Sequence, residues 1–390
     1  MSLSEPPLRG VRVLDLTRLV PGPVCTQHLA DLGADVVKLE DTSAGDYAPP
    51  ALRAIVNRNK RGLQLDLKQP EGADAFLQLA RTADVVVEGF RPGAMARLGL
   101  GYEDVAAVNP RIVYCSLTGY GQTGPYRDRA GHDLNYCGHA GVADQNGVDA
   151  DTLALSNLPI ADLMGGALTA AMGILAALFD AARTGIGRHL DIAMADGALA
   201  HAVMPLATLA AHGSTRRAGS DTLTGGLACY ALYRTADARF VAVGALERKF
   251  WDGLCDVIER ADLKPLHRSG DAGIEARVRG ELAVLFAARP LAHWAQQFAN
   301  ADCCVSPVRT LEEALADPHF RARGMVIDSV HPGIGALTQV ACPVKMTRHA
   351  FALQRHAPRP GEHTVELLRE AGCSDASIAR MLEKGVARAS

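Results

Sequence analysis

The feature that most constrains this chain is a set of short apolar runs in its first 120 residues, each separated from the next by a helix-length segment. Residues 11–16, 35–39, 62–67, 83–88 and 111–116 are rich in Val and Leu and lie between turn-forming residues. Runs of that length, apolar on both faces, belong to a parallel sheet whose crossover helices cover both sides. Pro21-Gly22-Pro23 marks the turn after the first run, a helix passes from Gln27 to Leu32, and residues 35–39 complete a β-α-β unit. The fold class is therefore α/β, with a Rossmann-like parallel-sheet large domain.

Pattern also divides the remainder. The apolar, uncharged residues 163–179 lie between Asp162 and Asp180 without basic flanks, which predicts a helix buried inside a soluble protein rather than a membrane span. Thr184-Gly185-Ile186-Gly187 stops that helix, residues 188–192 form another strand, and a second helical stretch runs to about residue 211. Residues 213–226, rich in Gly, Ser, Thr and Arg, read as a linker or active-site loop before a strand at 240–244. The predicted organisation is residues 1–190 as the N-terminal part of the large domain and 191–226 as a linker helix and loop. Residues 227–325 form a smaller α+β domain, and 326–390 return to the large one.

Several function classes are excluded. Forty-three acidic against 40 basic side chains leave a net charge of −3 with no long basic tract, the opposite of a nucleic-acid footprint. Nine cysteines without a C-x-x-C pair fit neither a disulfide scaffold nor a structural zinc site, and suit a reducing cytoplasm. Met1-Ser2-Leu3-Ser4-Glu5-Pro6-Pro7 shows no export signal and the C-terminus no peroxisomal tripeptide, so the expected location is cytoplasmic. No G-x-G-x-x-G follows the first strand, which disfavours a nicotinamide or flavin cofactor, and P-loop, G-x-S-x-G and H-E-x-x-H motifs are missing.

Three residues are candidates for chemistry. Asp162 opens the long apolar helix and is followed by Gly165 and Gly166, which permit close approach; the alternative is a plain helix N-cap. His132 sits beside Asp133 in a glycine-flanked apolar segment, as a general base or as half of a helix cap. Glu247 ends an apolar strand, where a site residue or an exposed loop carboxylate are both natural.

Taken together, Val13-Leu14-Asp15-Leu16, Asp31-Leu32-Gly33-Ala34-Asp35, Asn59-Lys60-Arg61, Leu65-Asp66-Leu67-Lys68, Arg91-Pro92-Gly93 and Gly119-Tyr120-Gly121-Gln122-Thr123-Gly124-Pro125 resemble the CaiB/BaiF family, the class III CoA-transferases. That family contains transferases, which move CoA between carboxylic acids, and α-methylacyl-CoA racemases, which invert the carbon beside the thioester. The racemase motif G-H-D-[IL]-N-Y is matched by Gly131-His132-Asp133-Leu134-Asn135-Tyr136, where transferases usually carry Tyr in place of His132; their G-A-[IL]-E segment is matched by Gly244-Ala245-Leu246-Glu247. Two features lean towards the transferases: the turn Asp15-Leu16-Thr17-Arg18, and Asp41 where racemases place a basic residue for the CoA phosphates.

The resemblance implies a racemase that interconverts (R)- and (S)-2-methylacyl-CoA thioesters by 1,1-proton transfer through an enolate. Removing a weakly acidic α-proton needs a positioned base and a stabilised enolate oxygen, and inversion needs a base on each face. His132, oriented by Glu247, and Asp162 take those roles, with backbone N–H groups near Asp162 holding the oxygen. The alternative is a CoA-transferase in which Asp162 attacks the thioester to give an anhydride and then an enzyme-bound thioester; a CoA-binding protein without catalysis is a third reading. The implied CoA-binding residues are Leu65, Asp66, Leu67, Lys68, Arg91, Gly131, Asp133, Leu134, Asn135 and Tyr136, with Lys68 and Arg91 facing phosphate. No metal and no cofactor is implied, CoA being part of the substrate. The implied partners are acyl-CoA and a second copy of the chain, in an interlocked dimer that brings Glu247 to His132 of the partner subunit.

Overall fold

Val and Leu buried on both faces of short strands build the main sheet of this computed structural model, which describes residues 5–43, 48–149 and 151–390; residues 1–4 of the N-terminal stretch read above lie outside them. Along the chain come β1 (Arg12–Asp15), α1 (Pro21–Asp31), β2 (Asp35–Glu40), α2 (Pro50–Val56), β3 (Lys60–Leu65), α3 (Pro70–Ala80) and β4 (Val85–Glu88). Then follow α4 (Ala94–Arg97), α5 (Tyr102–Val108), β5 (Val113–Thr118) and α6 (Asp133–His139). A π-helix, Ala161–Leu168, runs straight into α7 (Thr169–Thr184), ahead of β6 (Arg188–Ala193) and α8 (Met194–Ala200). Proline at the first helical position starts α1, α2 and α3, where its missing N–H costs nothing. Gly185, at φ 75°, stops α7 in the left-handed conformation that glycine adopts without strain.

A second unit holds α9 (Val203–His212), β7 (Tyr230–Arg234), β8 (Phe240–Gly244), α10 (Arg248–Val257), α11 (Ala272–Ala287), α12 (Leu291–Gln297), β9 (Val305–Pro307), α13 (Leu311–Ala316) and most of α14 (Pro318–Ala322). Its β7-β8-β9 sheet is antiparallel, with Trp251, Phe286 and Trp294 in its own core, so this unit is α+β. The chain then returns to the first unit with the hairpin β10 (Val326–His331) and β11 (Gly335–Val340), helices α15 (Thr364–Glu370) and α16 (Asp375–Glu383), and β12 (Ala387–Arg388). Residues 141–156 also belong to the second unit, where Gly147 bridges Leu153.

In the large sheet the order is β12-β3-β2-β1-β4-β5-β6, parallel throughout except for β12, which adds antiparallel to β3. The register pairs Val13 with Val36 on one side and with Val85 on the other. Chain direction across the sheet therefore reverses between β1 and β4, and the carboxyl ends of those two strands are where an open α/β sheet offers a crevice. Two strands are displaced from the sequence reading. β3 begins earlier because Lys60 and Arg61 are buried through ion pairs, which hides them from an apolar pattern. β5 ends later because Leu117 and Thr118 still pair with β6.

The helix expected to be buried over 163–179 is corrected by the structure. Ala170, Ile174, Ala177 and Ala181 form a buried stripe, but Leu168, Met172 and Phe179 are 52%, 67% and 67% exposed. Ala161–Thr184 has the length and apolarity of a membrane-spanning helix, and 39% of its most apolar window is buried.

Candidate active site

At the strand-order reversal lies a cavity of about 620 Å³, walled by the turns that follow β1, β4 and β5 and roofed by α6 and the π-helix. All of its walls belong to the first unit. His132 and Asp162 both line it, so two residues thirty positions apart in sequence share one space. His132 is the N-cap of α6, where its backbone N–H donates to the Asn135 side chain at 3.0 Å and leaves the imidazole exposed. Asp162 is in the first turn of the π-helix rather than at its N-cap, which is Ile160. Gly165 explains how that helix can sit so deep: a Cβ there would stand 2.4 Å from the Met194 carbonyl, so only glycine allows the crossing with α8.

Asp133 ties the two catalytic candidates together. It starts α6, and its carboxylate accepts the Asp162 backbone N–H at 2.9 Å, locking the π-helix entrance to the His132 cap. Its charge also acts on the neighbouring carboxyl. Burial first, then repulsion from Asp133, push the Asp162 carboxyl up to about 6, partly offset by the attraction of His132. A carboxyl poised there accepts and returns protons near neutrality.

The expectation that N–H groups near Asp162 hold an enolate oxygen is corrected. Asp162 N–H is taken by Asp133, Leu163 N–H by the Pro159 carbonyl, and Ala161 N–H faces the Cys137 sulfur. In the first turn of α6 the Asn135 N–H is likewise taken, by the His132 carbonyl at 2.8 Å.

Of the residues implied for CoA, the structure brings Arg91, Gly131, Asn135 and Tyr136 to the cavity. Asp133 stands behind it, and Leu134 is 52% exposed outside it. Leu65 and Leu67 are core side chains, Asp66 caps the Lys68 N–H at 3.0 Å, and Lys68 is an exposed lysine 3.7 Å from Asp41; none of these four lines the cavity. Residues not read as binding groups do line it: Arg18, Arg127 and Arg129 join Arg91, and among the residues that line the cavity Asp162 is the one carboxylate. The signal for Arg127 and Arg129 was weak, because Tyr126-Arg127-Asp128-Arg129 looks like a solvated turn. Glu247 lies in the second unit, exposed, as the N-cap of α10. Among the described residues no cluster of three or more His, Cys, Asp or Glu is arranged to hold a metal ion.

A family model described as CoA-transferase family III matches residues 8–364. The chain belongs to CoA-transferase family III. Within the family its similarity extends to both activities. It is 38% identical over 375 residues to the human alpha-methylacyl-CoA racemase, covering 95% of each chain. It is 33% identical over 410 residues to an acyl-CoA transferase of Fusarium pseudograminearum, covering 99% of this chain and 89% of that one. The solved structure of a CAIB/BAIF family protein from Brucella suis superposes with a TM-score of 0.82 at 28% identity, over 94% of this chain and all of the other.

Proposed function

We propose that this family III enzyme is a racemase that interconverts the two epimers of 2-methylacyl-CoA thioesters. The observation that carries the reading is the shared cavity of an exposed imidazole, His132, and a carboxyl raised to about 6, Asp162. With one proton between them, one group is a base and the other an acid. One epimer loses its α-proton to the carboxylate and is reprotonated by the imidazolium; the other follows the reverse course. Arg91, Arg127 and Arg129 on the cavity wall take the CoA phosphates. Glu247 is assigned to orient the imidazole without touching substrate.

A homodimer is part of the proposal. It is supported by apolar surface on each unit: Met172, Phe179 and Leu199 in the first, and Val203 and Leu206 of α9, which has no buried residue, in the second. Sedimentation at micromolar concentration checks it, and an active monomer contradicts it.

The second reading, CoA transfer through a covalent Asp162 intermediate, is favoured by the transferase relative and by Arg18 on the cavity wall. Heavy water separates the two. Racemisation predicts that a single epimer loses its configuration and gains deuterium at the α-carbon without any acceptor acid. Transfer predicts turnover only with a second carboxylic acid and an adduct on Asp162 that hydroxylamine traps. Pure ligand binding gives neither.

A further inference from the structure

A carboxyl taken out of water beside a binding cavity needs a reason, since burial favours its neutral form. Glu88, the last residue of β4, is such a group: it is 5% exposed, and Ser116, its register partner on β5, is 3% exposed. Oε2 of Glu88 accepts the Phe90 N–H at 2.8 Å, which folds the chain over as β4 ends. The Ser116 hydroxyl donates to the same carboxyl, and a hydroxyl that has given its one proton accepts from elsewhere. His189 on β6 meets that demand, with Nε2 3.0 Å from the Ser116 Oγ and its ring stacked on Tyr102 at 5.1 Å between centres. Burial still outweighs the two donors and raises the Glu88 carboxyl above its ordinary value. Three neighbouring strands thus maintain, at a cost, an acceptor for a single backbone N–H.

We propose that Glu88 is a positioning residue for CoA, its carboxylate setting the turn that holds Arg91 on the cavity wall while Ser116 and His189 keep that carboxylate in place. The proposal rests on the placement of CoA in the cavity given above. Gly89, Phe90, Arg91 and Pro92 all line the cavity, so the chain passes from Glu88 directly into its wall. The far end of the turn is fixed by its own backbone: the Ala94 N–H donates to the Arg91 carbonyl at 2.9 Å, and Gly93 takes φ 77°. The near end has left the sheet, and there the Glu88 side chain anchors Phe90. From this frame Arg91 Nη1 reaches the Asp128 carbonyl at 2.9 Å, on the segment that carries Arg127 and Arg129. A carboxylate accepts an N–H about twice as strongly as a neutral group. Ionised Glu88 therefore pre-organises the turn, and CoA does not have to order it on binding.

The test is calorimetric binding of CoA itself, which requires no turnover. Glu88→Gln keeps the shape and removes the charge, and is expected to raise Kd about three- to tenfold. Ser116→Ala is expected to raise it less, and Ser116→Thr, which keeps the hydroxyl, to stay near the wild type. Arg91→Gln should weaken CoA as well, and in that background Glu88→Gln should add less than about twofold, because both changes act through one guanidinium. With an acyl-CoA turned over by exchange or by transfer, KM should take the larger share of the loss that Glu88→Gln causes. A Kd unmoved by Glu88→Gln, full additivity with Arg91→Gln, or a loss confined to kcat overturns the proposal. Should Glu88→Gln fail to fold, equal affinities of Ser116→Ala and Ser116→Thr overturn it. CoA binding indifferent to Arg91→Gln removes the placement of CoA against Arg91, and the proposal with it. Coupling between Glu88 and Arg91 in an enzyme without deuterium exchange sustains the proposal and removes the racemase reading instead.

Discussion

Asp15 and Asp162 are two aspartates associated with the same cavity, and their surroundings drive them in opposite directions. Burial alone would raise Asp15, but Lys38, Lys60 and the hydroxyls of Thr17 and Thr26 overcome that and hold its carboxyl well below the usual carboxylate range. Asp162 is also removed from water, yet its nearest charged carboxyl neighbour is Asp133, so burial and repulsion act together and carry it to about 6. The first is a permanent anion that fixes a turn. The second is a group whose proton can move. Identical side chains thus acquire a structural and a chemical role from the charges placed around them.

The largest effect that would break this comparison is catalytic. Asp162→Ala and His132→Ala should each lower deuterium exchange by about 10²- to 10⁴-fold, the usual contribution of a general acid–base group; loss of less than about fivefold for either would remove it from the proton path. Next comes stability. Asp15→Asn strands two buried ammonium groups and should cost about 3–5 kcal/mol in denaturant unfolding, with the wild-type advantage present above about pH 4 and lost as acid protonates Asp15 in the folded state. A variant as stable as the wild type would mean that the cluster does not hold the turn.

A smaller effect appears in the pH profile. The racemase reading proposed above needs one proton on the His132–Asp162 pair, and protonating the Asp162 carboxylate as well removes the base, so kcat/KM should fall as pH drops through about 6. Both epimers should share that limb, because their active enzyme forms are tautomers of one protonation state. The smallest effect concerns the cost of keeping Asp162 charged. Its carboxyl sits above its unfolded value of 3.8, so ionisation destabilises the fold as pH rises from about 4 to 6. Asp162→Asn should therefore gain about 1 kcal/mol over the wild type at pH 8, discounted for partial exposure, and nothing at pH 4. Thermal unfolding at the two pH values checks both the size and the sign.

Much of the large sheet is legible in the sequence, because a strand buried on both faces must be apolar throughout, as Val85-Val86-Val87 is. The same logic conceals β3, whose Lys60 and Arg61 are buried by ion pairs that only the folded chain supplies. His132 and Asp162 stand out through their glycine-flanked settings and family motifs, but Asp133 as their tether depends on a hydrogen bond to a residue 29 positions away. Arg18 shows the same limit: its place on the cavity wall follows from charges on β1, β2 and β3 that converge beneath one turn.

The opposed fates of the two aspartates are tested most directly by carboxyl-carbon NMR of aspartate-labelled protein, with Asp162→Asn and Asp15→Asn spectra assigning the two signals. The account predicts that the Asp162 signal titrates near pH 6 and moves when Asp133→Asn removes the neighbouring charge, while the Asp15 signal stays that of an anion for as long as the protein remains folded in acid. An Asp162 carboxyl titrating near 4, with no response to Asp133→Asn, would contradict it.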